Sequence, residues 1–77
     1  MNRVIAQSEI IHEEGCEKSR VVLHEVGGYQ PFVTHVDVIK DGWPAYSGLI
    51  WGHYFSDAEA ARADFEKRCH RYGVKEA

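Results

Sequence analysis

Only one segment of this 77-residue chain has a helical period, and it lies at the C-terminal end. In residues 56–72, SDAEAARADFEKRCHRY, the side chains Ala58, Ala61, Phe65, Cys69 and Tyr72 recur at intervals of three and four and so share one helical face. Glu59, Arg62, Asp64, Glu66, Lys67, Arg68 and Arg71 fall on the other face. Ser56 followed three positions later by Glu59 reads as a capping box, in which hydroxyl and carboxylate each satisfy a backbone N–H. Acids open the segment and bases close it, as the helix dipole favours, and Gly73 supplies a left-handed stop. Asp64 and Arg68 are spaced as an i,i+4 ion pair. The pattern predicts a helix over residues 57–72.

A lone helix must cover whatever sheet the preceding residues build. Residues 3–12, 20–26, 32–40 and 48–55 are rich in Val, Ile and aromatic side chains, and Gly27-Gly28, Pro31 and Asp41-Gly42 punctuate them as turns. Alternation sets Val21, Leu23 and Glu25 against Val22, His24 and Val26 in the second strand. In the third it sets Phe32, Thr34, Val36 and Val38 against Val33, His35, Asp37 and Ile39. In the fourth it sets Leu49, Trp51, His53 and Phe55 against Ile50 and Tyr54. Consecutive strands on short loops pair as neighbours. The expected architecture is α+β: one domain over residues 1–77, an antiparallel meander of three to four strands with the helix packed on one face.

Size limits what such a domain can bury. At this length roughly 60 to 65% of the unfolded surface is removed from water, so one small core is all that forms. The helix face is mostly alanine, while Trp43, Tyr46, Trp51 and Tyr54 add large rings near the end of the sheet. Apolar surface that one helix leaves uncovered marks an interface, and Trp and Tyr are the residue types that anchor interfaces. We therefore expect another protein as partner, contacted through Trp43, Tyr46, Trp51, His53 and Tyr54, together with a homodimer.

Other function classes find less support. The net charge of −3 opposes broad nucleic-acid binding, which leaves the basic helix end, Lys67, Arg68 and Arg71, as the alternative nucleic-acid contact. No apolar run approaches the ~20 residues of a membrane span, and the opening MNRVIAQSE lacks a secretion signal. A cytoplasmic protein with no membrane contact and with reduced Cys16 and Cys69 is the expectation. Five histidines are present, four of them on the expected strands, yet no H-x-x-x-H or C-x-x-C pair accompanies them, so neither metal nor cofactor is expected. His53, beside Tyr54 and near Asp57 and Glu59, is the one grouping on which a small enzyme could be centred. No phosphate loop, nucleophile elbow or paired-carboxylate motif supports it, so the chain reads as a non-enzyme.

The strand PFVTH, the run WGHYF, the capped turn and the helix start DFEKRC, spread over residues 29–71, resemble a class of short uncharacterised proteins carried by bacteria, prophages and mobile elements. That resemblance implies a bacterial or phage setting and carries over no functional residues. Small acidic single-domain proteins in that setting often act by binding a larger host enzyme, inhibitors of CRISPR defence among them. By this analogy the chain would be an inhibitor of a bacterial defence or nucleic-acid enzyme.

Overall fold

The computed structural model describes residues 2–77. Four strands, β1 (Arg3–Gln7), β2 (Lys18–Glu25), β3 (Phe32–Ile39) and β4 (Leu49–Phe55), form one antiparallel sheet in the order β1-β2-β3-β4. The helix α1 (Ala58–Tyr72) follows and packs against β2, β3 and β4. The expected α+β meander with one C-terminal helix is the fold observed.

Alternation in β2 and β3 decides which side chains meet the helix. Val21 and Leu23 join Ala6, Ile11, Ala61, Phe65 and Cys69 in a single buried cluster, with Phe32, Phe55 and Tyr72 packed at its margin. Phe65 is the largest fully buried side chain and sits at the centre of this thin core. Gly27 and Gly28 both take left-handed φ values, 78° and 81°, which turn β2 back into β3.

The helix start departs from the expected capping box. Asp57, not Ser56, is the N-cap, and its carboxylate accepts from the Ala60 N–H at 3.1 Å. Aspartate caps as well as serine and adds a negative charge to the positive end of the helix dipole. The C-terminal stop is as expected: Gly73 has φ 69°, and the Gly73 and Val74 N–H groups donate to the His70 and Cys69 carbonyls. The buried face is shifted from the periodic expectation. Ala58 is exposed, whereas Arg68 is buried beside Ala61, Phe65 and Cys69.

The first strand is shorter than residues 3–12. Regular pairing with β2 stops at Gln7, where the chain turns its backbone toward the C-terminal tail. The Glu9 N–H donates to the Lys75 carbonyl and the Ala77 N–H to the Gln7 carbonyl, each at 2.8 Å. Ile11 then rejoins β2 through two hydrogen bonds with Ser19.

The sheet face away from the helix is not the bare apolar surface that the ring surplus suggested. Residues 40–48 fold back over it and lay the half-buried Tyr46 ring on Arg20, whose guanidinium lies 4.3 Å from the ring centroid. The Tyr46 hydroxyl donates to Gln7 at 2.7 Å. Buried Asp37 anchors this flap by pairing with Arg20 at 3.0 Å and accepting from the Gly48 N–H at 3.2 Å. Tyr46, His24, His35 and Tyr54 stand edge to face in a row above Val22 and Val33, both fully buried.

Candidate functional site

Exposed large apolar groups gather along β4 instead. This strand is an edge of the sheet, and its middle residues are open to solvent. A Gly within a strand often marks a bulge, and Gly52 does so here. Thr34 pairs with His53 and Val36 with Ile50, so Trp51 and Gly52 together oppose His35. Gly52 also leaves room for the His35 ring, since a Cβ there would lie 2.8 Å from His35 Nε2. The extra residue is Trp51, which takes a left-handed φ of 55°.

The bulge resets the alternation in β4 and corrects the expected faces. Ile50, His53 and Phe55 register with the helix-side residues Val36, Thr34 and Phe32, while Leu49 and Tyr54 register with Asp37 and Val33 on the opposite side. His53 and Tyr54 therefore point apart and form no common site.

A polar junction fixes the helix side of the bulge. Asp64 Oδ2 accepts from the Thr34 hydroxyl at 2.5 Å, lies 3.0 Å from His53 Nδ1 and 3.4 Å from Arg68 Nε. Arg68 Nη2 donates to the Trp51 carbonyl at 2.5 Å, so one guanidinium ties the helix to the displaced backbone of β4. Burial pushes the Asp64 carboxyl upward, but the hydrogen bonds from Thr34 and His53 and the charges of His53 and Arg68 outweigh it, so the group titrates below its ordinary value. Burial pulls the Arg68 guanidinium down, Asp64 and Tyr72 oppose that shift, and Arg71 adds to it.

This geometry fixes His53, Thr34 and Arg68 about one carboxylate, that of Asp64. Asp64 holds His53 by Nδ1, leaving Nε2 as the outward nitrogen. The Thr34 hydroxyl is fully buried and spent on Asp64. Asp57 is occupied in capping the helix. Among the described residues no group of three or more His, Cys, Asp or Glu side chains is placed to hold a metal ion. No helix among the described residues is long and apolar enough to cross a membrane.

Of the five residues expected to meet a partner, Trp51, His53 and Tyr54 lie on β4, Trp43 lies in the connection before it, and Tyr46 lies against β1 and β2. Trp51, 66% exposed, and His53 lie at the bulge on the helix side. Tyr54 is 54% exposed on the opposite side. Trp43 is 47% exposed in the connection before β4, with the Lys40 ammonium 4.7 Å from its ring centroid. Tyr46 belongs to the flap described above. The basic helix end is divided as well. Lys67 and Arg71 are exposed, but the Arg68 side chain is only 7% exposed and committed to Asp64 and Trp51, so it offers nothing to a phosphate backbone.

Asp64 and Thr34 were not among the expected site residues. The i,i+4 spacing of Asp64 and Arg68 does predict their ion pair, but the helical period assigns both to the solvent face. Gly52 is the signal that could have reassigned them, because a bulge in β4 leaves a carbonyl for a helix cation to satisfy. Compared with known proteins, the chain matches no family model, no curated protein and no solved structure.

Proposed function

We propose that this chain is a small non-enzymatic protein-binding module that engages its partner through the open, bulged edge of β4. The observation that carries the reading is Trp51. A bulky side chain in left-handed backbone costs roughly 1–2 kcal/mol, and this indole recovers little of that by burial, since two-thirds of it faces water. Strain combined with an exposed indole is poor stability design and good interface design, because Trp is among the residues enriched as interface anchors. Tyr54 and Trp43 flank it along the same edge.

The resemblance carried by PFVTH, WGHYF and DFEKRC gives the proposal its setting. There the module would be a phage or mobile-element inhibitor, anti-CRISPR-like, that sticks to a bacterial defence or nucleic-acid enzyme. A second copy of the chain is the other protein that could use the edge, giving a homodimer. The free thiols of Cys16 and Cys69 suit a cytoplasmic site of action.

Site-specific photocrosslinking tests the reading. A photoreactive phenylalanine analogue placed at Trp51 or Tyr54 should trap a distinct adduct in bacterial lysate, and unlabelled wild-type protein should compete it away. The same analogue at Ile10, which is 49% exposed just beyond β1 at the opposite edge of the sheet, should trap none. Equal trapping at all three positions, or none at Trp51 and Tyr54, would overturn the proposal.

A further inference from the structure

We infer that the recess beside Trp51 receives a carboxylate, an Asp or Glu side chain on an extended segment of the protein partner that lies along β4. This inference rests on the β4-edge reading and adds the partner's chemistry to it.

The recess has a volume of about 300 Å³ and is lined by Trp51, Gly52, His53, Arg68, Arg71 and Tyr72. Its ionised groups do not balance. Arg68 and Arg71 contribute two positive charges, and Asp64 is the one carboxylate in contact with Arg68 or His53. Asp64 Oδ2 is already occupied by Thr34, His53 and Arg68. Arg71 makes no ion pair among the described residues, and Arg68 Nη1 is a buried N–H donor without an acceptor. A local surplus of one positive charge thus sits in a chain whose net charge is −3.

Three features favour a protein carboxylate over the phosphates of a nucleic acid. The open strand edge offers backbone N–H and C=O groups to an extended polypeptide, which a nucleic acid cannot pair with in this way. The rings of Trp51 and Tyr72 give the methylene stem of Glu or Asp an apolar wall, while the Arg71 guanidinium gives its oxygens donors. Phosphate-backbone binding needs several exposed cations in a row, and burial of Arg68 leaves Lys67 and Arg71.

The test uses a fluorescein-labelled decapeptide of alternating Val and Glu, its Val/Gln and Val/Lys counterparts, and a single-stranded DNA dodecamer, read by fluorescence anisotropy. The Glu peptide should bind at least about tenfold more tightly than the Gln peptide, with the Lys peptide and the DNA weaker still. Arg71→Glu should erase the preference for Glu, and raising NaCl from 20 to 200 mM should narrow it. Thermal melting of Arg71→Glu at the wild-type temperature shows that the fold is intact, because Arg71 is exposed and unpaired. Equal binding of Glu and Gln peptides that still requires Trp51 would overturn the carboxylate inference and leave the edge reading standing. DNA binding tighter than the Glu peptide, or Glu preference unchanged in Arg71→Glu, would also overturn it. Failure of every peptide to bind, together with no crosslink at Trp51, would remove the edge reading and this inference together.

Discussion

The two edges of the sheet are treated in opposite ways. At the C-terminal end of the β1 edge the tail pairs with residues 7–9: Ser8 bridges Glu76, and Glu9 both donates through its N–H to the Lys75 carbonyl and accepts from the Lys75 N–H through its side chain. Arg62 fixes this tail from the helix by pairing with Glu76 at 2.7 Å. At the β4 edge nothing in the described residues pairs outward, and Trp51 interrupts the strand. The bulge there carries the most exposed indole, so the edge left open to a partner strand also displays an anchor. A closed edge can be judged by stability alone; an open one has to be judged by what it binds.

The largest expected effect should ignore the distinction between edges. Phe65 is buried at 1% exposure beneath both halves of the sheet, and Phe65→Ala should cost on the order of 3–5 kcal/mol. In a domain this small, chemical denaturation should find most of the stability gone and both edges exchanging amide hydrogens freely. Asp64→Asn should come next, at about 2–3 kcal/mol, because it leaves the Thr34 hydroxyl and the buried Arg68 guanidinium with weakened or missing acceptors. Its damage should be lopsided. Hydrogen exchange should accelerate in β4 before β1, and uniform acceleration would mean that the junction does not belong to one edge.

Acid should separate the same regions by titration. Desolvation lowers the pKa of both His24 and His35, with the His24 and Arg68 charges adding to the shift at His35 and Asp37 opposing it at both. The unfolded chain then binds more protons than the fold below the ordinary value of 6.5, so stability should fall as pH drops from 6.5 toward the folded values. Asp64 works lower. Its folded pKa lies below the ordinary 3.8, so its contribution is full above that value and is lost as pH falls through the folded pKa. Urea denaturation across pH should show two declines, and His24→Asn with His35→Asn should flatten the first alone.

Much of this architecture is legible in the amino-acid order, and the gaps have physical causes. The helix, its Gly73 stop and the inward faces of β2 and β3 follow from periodicity, because those elements are regular. The β4 faces fail at Trp51, where one extra residue flips every side chain before it relative to the partner strand. Arg68 misleads for a related reason. Helical spacing marks it as solvent-facing, yet a carbonyl released by the bulge draws its guanidinium inward. The cap moves from Ser56 to Asp57 because either residue can cap, and a one-residue difference lies beyond what pattern resolves. The C-terminal tail has no strand-like pattern at all, since it pairs through backbone groups that every residue carries.

Removing residues 75–77 would probe the closed edge directly. The loss of two or three backbone hydrogen bonds and the Arg62–Glu76 pair should cost about 1–2 kcal/mol, seen as a lower melting temperature and faster exchange of the Glu9 amide. Crosslinking at Trp51 should be unaffected. If truncation abolished it, the two edges would not be independent and the comparison would break.

The smallest stability effect should accompany a complete loss of binding. Trp51→Gly removes a left-handed side chain that is two-thirds exposed, while the Trp51 carbonyl that Arg68 holds is backbone and survives the change. Relief of strain favours the variant, and the greater freedom of glycine in the unfolded chain opposes it, so stability should stay within about 1 kcal/mol of wild type. Trp51→Ala separates the two terms, since it keeps the strain and removes the indole. Both variants should lose the crosslinked partner at Tyr54, and Trp51→Gly should melt at or above the temperature of Trp51→Ala. A drop of more than about 2 kcal/mol in Trp51→Gly would mean that the indole supports the fold, because only buried side chains lose that much on truncation. The exposed ring would then be structural, and the β4 edge would lose its claim to be the binding surface.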